Sequence, residues 1–158
     1  MSVSAWRVVP AEFAGPPFDP FSGDGARLHG GRWNSPGIPV VYTSDSLALA
    51  VLETLVHAGS LAAVAGRVAF PVVIPPELIV GLQSDDLPAD WHDPAAPDRL
   101  KALGDAWVAA ATTPVLRVPS AVIPVEFNDV LNPRHPAFRQ IAVGPPRPLP
   151  IDPRLLKS

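Results

Sequence analysis

Proline accounts for 22 of the 158 residues, dispersed between apolar segments rather than gathered into one tract. Each proline fixes its own φ and removes a backbone donor, so neither a long helix nor a long central strand runs through one. The chain must therefore be built from many short elements joined by stiff turns, which fits a sheet-rich α+β fold better than a helix bundle. Nearly half of the residues are apolar and 17% are charged, which places the chain among folded globular proteins. Its length gives room for one core, so residues 1–158 are read as a single domain.

Composition narrows the function classes. The formal net charge is −3 and there is no basic run, which argues against nucleic-acid binding along a phosphate backbone. Cysteine is absent, so disulfides, thiolate metal sites and a cysteine nucleophile are excluded. The four histidines, His29, His57, His92 and His135, form no ligand pair, and no metal site is expected. Neither a Walker loop nor a GxGxxG follows a strand. With no signal peptide at Met1–Arg7 and no apolar run of membrane-span length, the expectation is a cytoplasmic protein that does not engage a membrane.

Along the chain, Ala5–Val9 reads as a first strand and Pro16–Gly31 as a long loop. Ile38–Thr43 is a short strand. Ser44-Asp45-Ser46 offers caps to a helix running to Ala58, with Gly59 as its stop. The wheel from Leu47 to Val56 is largely apolar, which predicts a helix buried on most sides. Arg67–Ile74 is a strand broken by Pro75-Pro76, and Glu77–Asp93 is irregular with one short turn. Asp98–Ala111 is a second helix. Val115–Val118 and Ala121–Val125 read as strands flanking Pro119-Ser120, and Asn128–Pro136 as a turn. Ile141–Val143 and Pro148–Ile151 are late strands, and Arg154–Ser158 a tail.

Against this background a few polar residues stand out. Gly30-Gly31 presents Arg32; glycine permits close approach of a ligand, and a guanidinium offers a planar fork of donors to phosphate oxygens. Tyr42, the only tyrosine, ends the strand ten residues on. Glu53 lies in the apolar helix, where a carboxylate costs stability unless it has a partner or a task. Each has an ordinary alternative: a salt bridge for Arg32, a strand-end core residue for Tyr42, an exposed stripe for Glu53. Ser120, between Pro119 and Ala121, is either a turn serine or a donor to a phosphate or ribose oxygen, and no Ser-His-Asp order makes it a nucleophile. Arg7, inside the first strand, is a second cation. Together an arginine, a tyrosine and a glutamate can hold a phosphate ester and a developing sugar cation.

The order and spacing of several stretches resemble the RES-domain family, named for an arginine, a glutamate and a serine. They are Trp6-Arg7-Val8, Gly25–Arg27 through Gly31-Arg32-Trp33-Asn34, Val41-Tyr42-Thr43, Ala48–His57 with Leu52-Glu53, Pro119-Ser120, Asn128–Pro136 and Asp152–Leu155. The resemblance spans nearly the whole chain and is poorest over Glu77–Asp98. It implies a fold similar to ADP-ribosyltransferase toxins: a split, mixed sheet with flanking helices around an NAD cleft. It also implies a toxin of a type II toxin–antitoxin pair. Such a toxin degrades NAD by phosphorolysis or hydrolysis or ADP-ribosylates a protein, and is blocked by an Xre-like antitoxin that plugs the active site. NAD is then substrate rather than bound cofactor, with inorganic phosphate as a co-substrate.

The resemblance carries Arg32, Tyr42, Glu53 and Ser120 over as site residues, with Arg7 as a weaker match. Cleaving the nicotinamide–ribose bond builds positive charge on the ribose while nicotinamide leaves neutral, so a fixed anion helps and a general acid is not required. On that basis Glu53 serves the ribose, Arg32 and Arg7 the phosphates, Tyr42 the nicotinamide end and Ser120 a phosphate oxygen. Phosphate as acceptor makes the chain an NAD phosphorylase, a transferase that releases ADP-ribose 1″-phosphate. Water or a protein side chain as acceptor makes it a glycohydrolase or a protein ADP-ribosyltransferase. The non-enzymatic alternatives are an idle partner-binding module and a plain α+β binding domain.

Overall fold

The structure is a computed structural model, and it describes residues 1–95 and 97–157. Eight short strands form one mixed sheet: β1 (Val3–Val9), β2 (Val41–Ser44), β3 (Val68–Ile74), β4 (Ile79–Gly81), β5 (Val115–Pro119), β6 (Phe127–Leu131), β7 (Ala142–Val143) and β8 (Arg147–Pro148). The order is β4-β5-β6-β2-β1-β3-β7, with β8 also pairing β3. All pairings are antiparallel except the parallel β4–β5 edge. Helices α1 (Asp24–His29), α2 (Leu47–Ala58), α3 (Leu61–Val64) and α4 (Asp98–Ala110) flank the sheet.

Where a split sheet is expected, the sheet is continuous and narrows to a near-break between β1 and β2. β1 and β3 pair over seven residues, from Val3↔Ile74 to Val9↔Val68, and β2 pairs β6 over four. The two halves meet through a single pair, Trp6↔Ser44. An antiparallel ladder continued from there would set Val8 opposite Tyr42. Instead Arg7 Nη1 donates to the Tyr42 carbonyl at 3.1 Å and Nε to the Pro20 carbonyl at 2.7 Å. The guanidinium thus takes the acceptor that β1 would have used, and the strands diverge.

Alternation along the strands sorts the core into two faces. Ala5, Val9, Val41, Val72, Ile74, Val115 and Leu131 pack together with Phe21 and Phe70 on one face. On the other face Val118, Val130, Leu116 and Val40 pack with Trp33, Trp91, Leu100 and Trp107, which brings α4 onto β5 and β6. Trp6 and Val8 meet Leu47, Val51 and Leu55 of α2 beside Val64 and Ala69. Two helices therefore cover the same face, one over each half-sheet, with β2 between them.

α2 starts and stops where its caps dictate. Ser46 Oγ accepts the Leu49 N–H at 3.1 Å, and Gly59 closes the helix at φ 81, a left-handed conformation that favours glycine. The expectation that α2 is buried on most sides is wrong. Only Leu49 and Ala50 are buried, while Leu52 and Val56 are 38% and 61% exposed, because α2 lies against one sheet face with nothing over it.

Other departures have local causes. The loop at Pro16–Gly31 contains α1, which begins after left-handed Gly23 and carries an Asp24–Arg27 ion pair at 3.2 Å. Glu77–Asp93 contains β4 as well as a 3₁₀ turn at Ser84–Asp86; three residues in parallel pairing leave no periodic signature. Ala121–Val125 is a turn and not a strand, and Asn128–Leu131 is strand and not turn. Ser120 Oγ accepts the N–H groups of both Val122 and Ile123, at 3.1 and 3.0 Å, which folds that segment back before Pro124 and delays the next strand. The late strands are shorter than expected, and the tail holds a 3₁₀ turn at Pro153–Leu156. No helix among the described residues is long and apolar enough to cross a membrane.

Candidate active site

Glu53 is the hub of a hydrogen-bonded cluster where α2, the end of β5 and the start of β6 converge. Its Oε1 accepts from Ser120 Oγ and from Asn128 Nδ2, both at 2.6 Å. The direction of these bonds follows from the groups around them. Ser120 Oγ already accepts two backbone N–H groups, so its own hydrogen goes to Glu53. Asn128 Oδ1 takes the hydroxyl of Ser44 at 2.7 Å, which turns the Asn128 amide nitrogen toward Glu53. Two donors therefore converge on one carboxylate oxygen and fix the side chain's orientation.

The other oxygen is available. Among the described residues no buried side-chain nitrogen or oxygen lacks a partner, and Glu53 Oε2 makes no hydrogen bond, so it faces solvent. Half-buried Glu53 is neither on an exposed stripe nor sealed in the core. It presents one pinned and one open oxygen.

Tyr42 lies on the same face of β2 as Ser44, two residues away, and therefore roughly 7 Å along the strand. Its hydroxyl donates to Asn34 Oδ1 at 2.6 Å and accepts the Trp33 N–H at 3.1 Å. Burial pushes the phenol above its ordinary range, opposed in part by the bond from Trp33. Asn34, fully buried, donates in turn to the carbonyls of Ala26, Ser35 and Ile38. The hydroxyl of Tyr42 is thus committed to shaping the loop that carries Arg32. Gly31 is the residue this contact requires, since a Cβ there would stand 2.6 Å from the Tyr42 hydroxyl oxygen.

Arg32 leaves that loop toward the 91–93 segment. Its Nη1 donates to the carbonyls of Trp91 and Asp93, at 3.0 and 2.9 Å. Among the described residues Nε and Nη2 make no hydrogen bond, which leaves an edge of the planar fork for an anion. The loop is anchored again from α4, where Asp105 Oδ1 accepts the Ser35 N–H at 2.9 Å. At Gly104 a Cβ would lie 1.7 Å from the Trp33 carbonyl oxygen.

Arg7 stands apart. Strand alternation places it with Ala5 and Val9, on the face opposite α2, and its guanidinium fills the seam between the half-sheets. Burial pulls it down to about 10, with Asp19 opposing, so it remains a cation at neutral pH. Among the described residues its Nη2 makes no hydrogen bond. The structure therefore joins Glu53 to Ser120 directly, sets Tyr42 two residues from Ser44 on the same face of β2, turns Arg32 to the 91–93 segment, and leaves Arg7 on the far side of β1. Among the described residues no three His, Asp or Glu side chains stand together as a metal site. Two open hollows, against Asp152, Arg154 and Leu155 and against Ser60–Ala62 with Leu155–Lys157, lie at the C-terminal turn and hold no such constellation.

Residues 4–152 match the family model of the RES domain. The chain belongs to the RES-domain family. The chain is 33% identical over 161 residues to the Prs ADP-ribosylating toxin of a Sphingobium species, covering all of this chain and 99% of the relative. It is 37% identical to Toxin Res of Yersinia enterocolitica, over 85% of this chain and 90% of that one. Toxin Res of Photorhabdus laumondii is 38% identical over 87% and 89%. The fold resembles that in the crystal structure of the M. tuberculosis MbcT–MbcA toxin–antitoxin complex, with a TM-score of 0.75 at 21% identity, covering 94% of this chain and 85% of the other.

Two members of the RES-domain cluster escaped the reading from sequence. By sequence alone Asn128 reads as part of a turn, and Ser44 only as a possible cap. The available signal was polarity in strands: Ser44 and Asn128 are register partners on one face, visible only once β2 and β6 are known to pair.

Proposed function

We propose that this RES-domain protein is the toxin of a type II toxin–antitoxin pair and cleaves the nicotinamide–ribose bond of NAD, passing ADP-ribose to inorganic phosphate. The observation that carries the reading is Glu53, pinned through Oε1 by Ser120 and Asn128 with Oε2 open. A preorganised carboxylate stabilises positive charge developing on a ribose without reorganising at the moment of reaction. The C1″–N bond breaks with its electron pair going to the pyridine nitrogen, so nicotinamide leaves neutral, and a phosphate oxygen forms the new bond to C1″. ADP-ribose 1″-phosphate is the product.

Arg32, whose Nε and Nη2 make no hydrogen bond among the described residues, grips phosphate oxygens, and Arg7 adds a second positive charge from the seam. Ser120 and Tyr42 take positioning roles here: one hydroxyl is used on Glu53 and the other on the Arg32 loop. A cognate Xre-like antitoxin would silence the toxin by covering the cleft. The ADP-ribosyltransferase likeness of the fold belongs to the same proposal, supported by two half-sheets that part at β1–β2.

A second reading, transfer of ADP-ribose to a protein side chain, is favoured by the full-length relative named an ADP-ribosylating toxin. Incubating the purified chain with NAD, with and without phosphate, and identifying products by NMR tests both. Phosphate-dependent formation of ADP-ribose 1″-phosphate is expected. Loss of NAD only when cell extract is present, with label appearing on a protein, would replace the first reading by the second.

A further inference from the structure

Behind the Glu53 cluster, on the opposite face of the same strands, lies a second polar cluster that touches none of the groups assigned to substrate. Arg117 donates through Nε and Nη2 to both oxygens of Asp129, at 2.9 and 3.0 Å, and through Nη2 to Asp45 Oδ1 at 2.6 Å. Asp129 is fully buried, while Arg117 and Asp45 keep a quarter to a third of their side chains exposed. The Phe127 ring lies 5.7 Å from the guanidinium carbon.

Each member of this cluster neighbours a member of the other. Asp45 follows Ser44 and leads into α2, which carries Glu53. Asp129 follows Asn128 on β6. Arg117 is three residues before Ser120 on β5 and pairs in register with Asp129. The three elements that must meet for Ser120 and Asn128 to reach one oxygen of Glu53 are therefore the three that Arg117 ties together. Besides Arg117, the start of α2 is tied to β6 by the backbone bond from Asp45 N–H to the Phe127 carbonyl, at 3.1 Å, and by the Ser44 hydroxyl on Asn128, at 2.7 Å; neither of these reaches β5.

We propose that the Asp45–Arg117–Asp129 triad is a positioning brace that sets the α2 N-terminus against β5 and β6, and thereby holds Glu53 in its two-donor geometry. The proposal rests on Glu53 serving the reaction, but its structural half stands without any activity. Both halves are tested on the full chain with Asp45→Ala, which removes the outer acceptor and leaves the buried Arg117–Asp129 pair whole, so the variant folds. Arg117→Met strands Asp129 and serves only as a harsher comparison.

The first measurement is the side-chain amide resonance pair of Asn128 in ¹⁵N-correlated NMR, assigned by its loss in Asn128→Asp. The second is the split of NAD turnover into kcat and KM. In Asp45→Ala the Asn128 amide shifts toward its position in Glu53→Ala, and kcat falls roughly ten- to hundredfold, as expected for a small misplacement, with KM within about twofold. Asp45→Asn, whose amide oxygen still accepts from Arg117, restores both. A folded Asp45→Ala with the wild-type Asn128 resonance overturns the brace, whatever its turnover. If the wild-type chain leaves NAD intact, the NAD reading fails and the Asn128 resonance still decides the brace.

Discussion

Replacing Ser120 by alanine separates the two roles its hydroxyl could have. The side chain is fully buried and its oxygen makes three bonds: it accepts from Val122 and Ile123 and donates to Glu53 at 2.6 Å. Alanine leaves two turn N–H groups without their acceptor and Glu53 with one donor of two. The bond to a carboxylate contributes about 2 kcal/mol, and the two N–H groups, in a half-buried turn that water can reach, about 0.5 kcal/mol each. The expected loss is therefore about 3 kcal/mol, a large share of the ~5–15 kcal/mol that holds a domain of this size. With a urea slope of about 2 kcal/mol per molar, the unfolding midpoint drops by about 1.5 M. Because Asn128 still holds Glu53, NAD turnover falls only about tenfold to a hundredfold, mostly in kcat. Equilibrium urea unfolding followed by tryptophan fluorescence and NAD consumption by NMR supply the two readings. An unchanged midpoint with a large rise in KM would refute the positioning role and return Ser120 to direct contact with substrate.

Three further outcomes follow from the geometry. Glu53→Gln keeps an oxygen for Ser120 and Asn128 but removes the charge. NAD turnover should drop at least ~10³-fold, the scale of losing a preorganised electrostatic group, with an unchanged circular dichroism spectrum. Gly104→Ala places a Cβ 1.7 Å from the Trp33 carbonyl oxygen, forcing α4 away from the Arg32 loop. It should cost about 3 kcal/mol by overpacking, read as a lower thermal midpoint, and raise KM for NAD. Asp45 is pushed up from its ordinary 3.8 to about 6, first by burial and then by Asp129, against the pull of Arg117. The folded state holds that proton more tightly than the unfolded chain, so this group's contribution to stability falls as pH rises from about 4 to 6 and is fully unfavourable above that. Asp45→Asn should flatten this slope in urea midpoints measured from pH 4 to 7; an unaltered slope would show that Asp45 is not its source.

Proline spacing implies many short elements, and Gly59 marks the end of α2 while Ser44-Asp45-Ser46 brackets its start, which the structure assigns to Ser46, because capping depends on groups within one turn. The polar residues were legible as exceptions in apolar runs, and Glu53 and Ser120 do meet. What they do there was less legible. The resemblance gives Tyr42 to the nicotinamide end, by packing or by a hydrogen bond, and in the structure its hydroxyl is bound on both sides by Trp33 and Asn34. Arg7 reads as a phosphate cation, and the same guanidinium also keeps β1 and β2 apart.

The β5–β6 region shows where sequence reasoning fails physically. Valine and isoleucine at 122 and 123 carry strand propensity, but the Ser120 hydroxyl competes for their N–H groups and folds them into a turn. Register then shifts, and Asn128 lands opposite Ser44 instead of in a loop. The sequence by itself determined the types of chemical groups, the short elements and the end of α2 at Gly59, because those depend on interactions within a few residues. The tertiary structure decided that Glu53 meets Ser120, 67 residues away, and Asn128, 75 away. That meeting depends on strand register and on a charged triad across three elements, and local periodicity encodes neither.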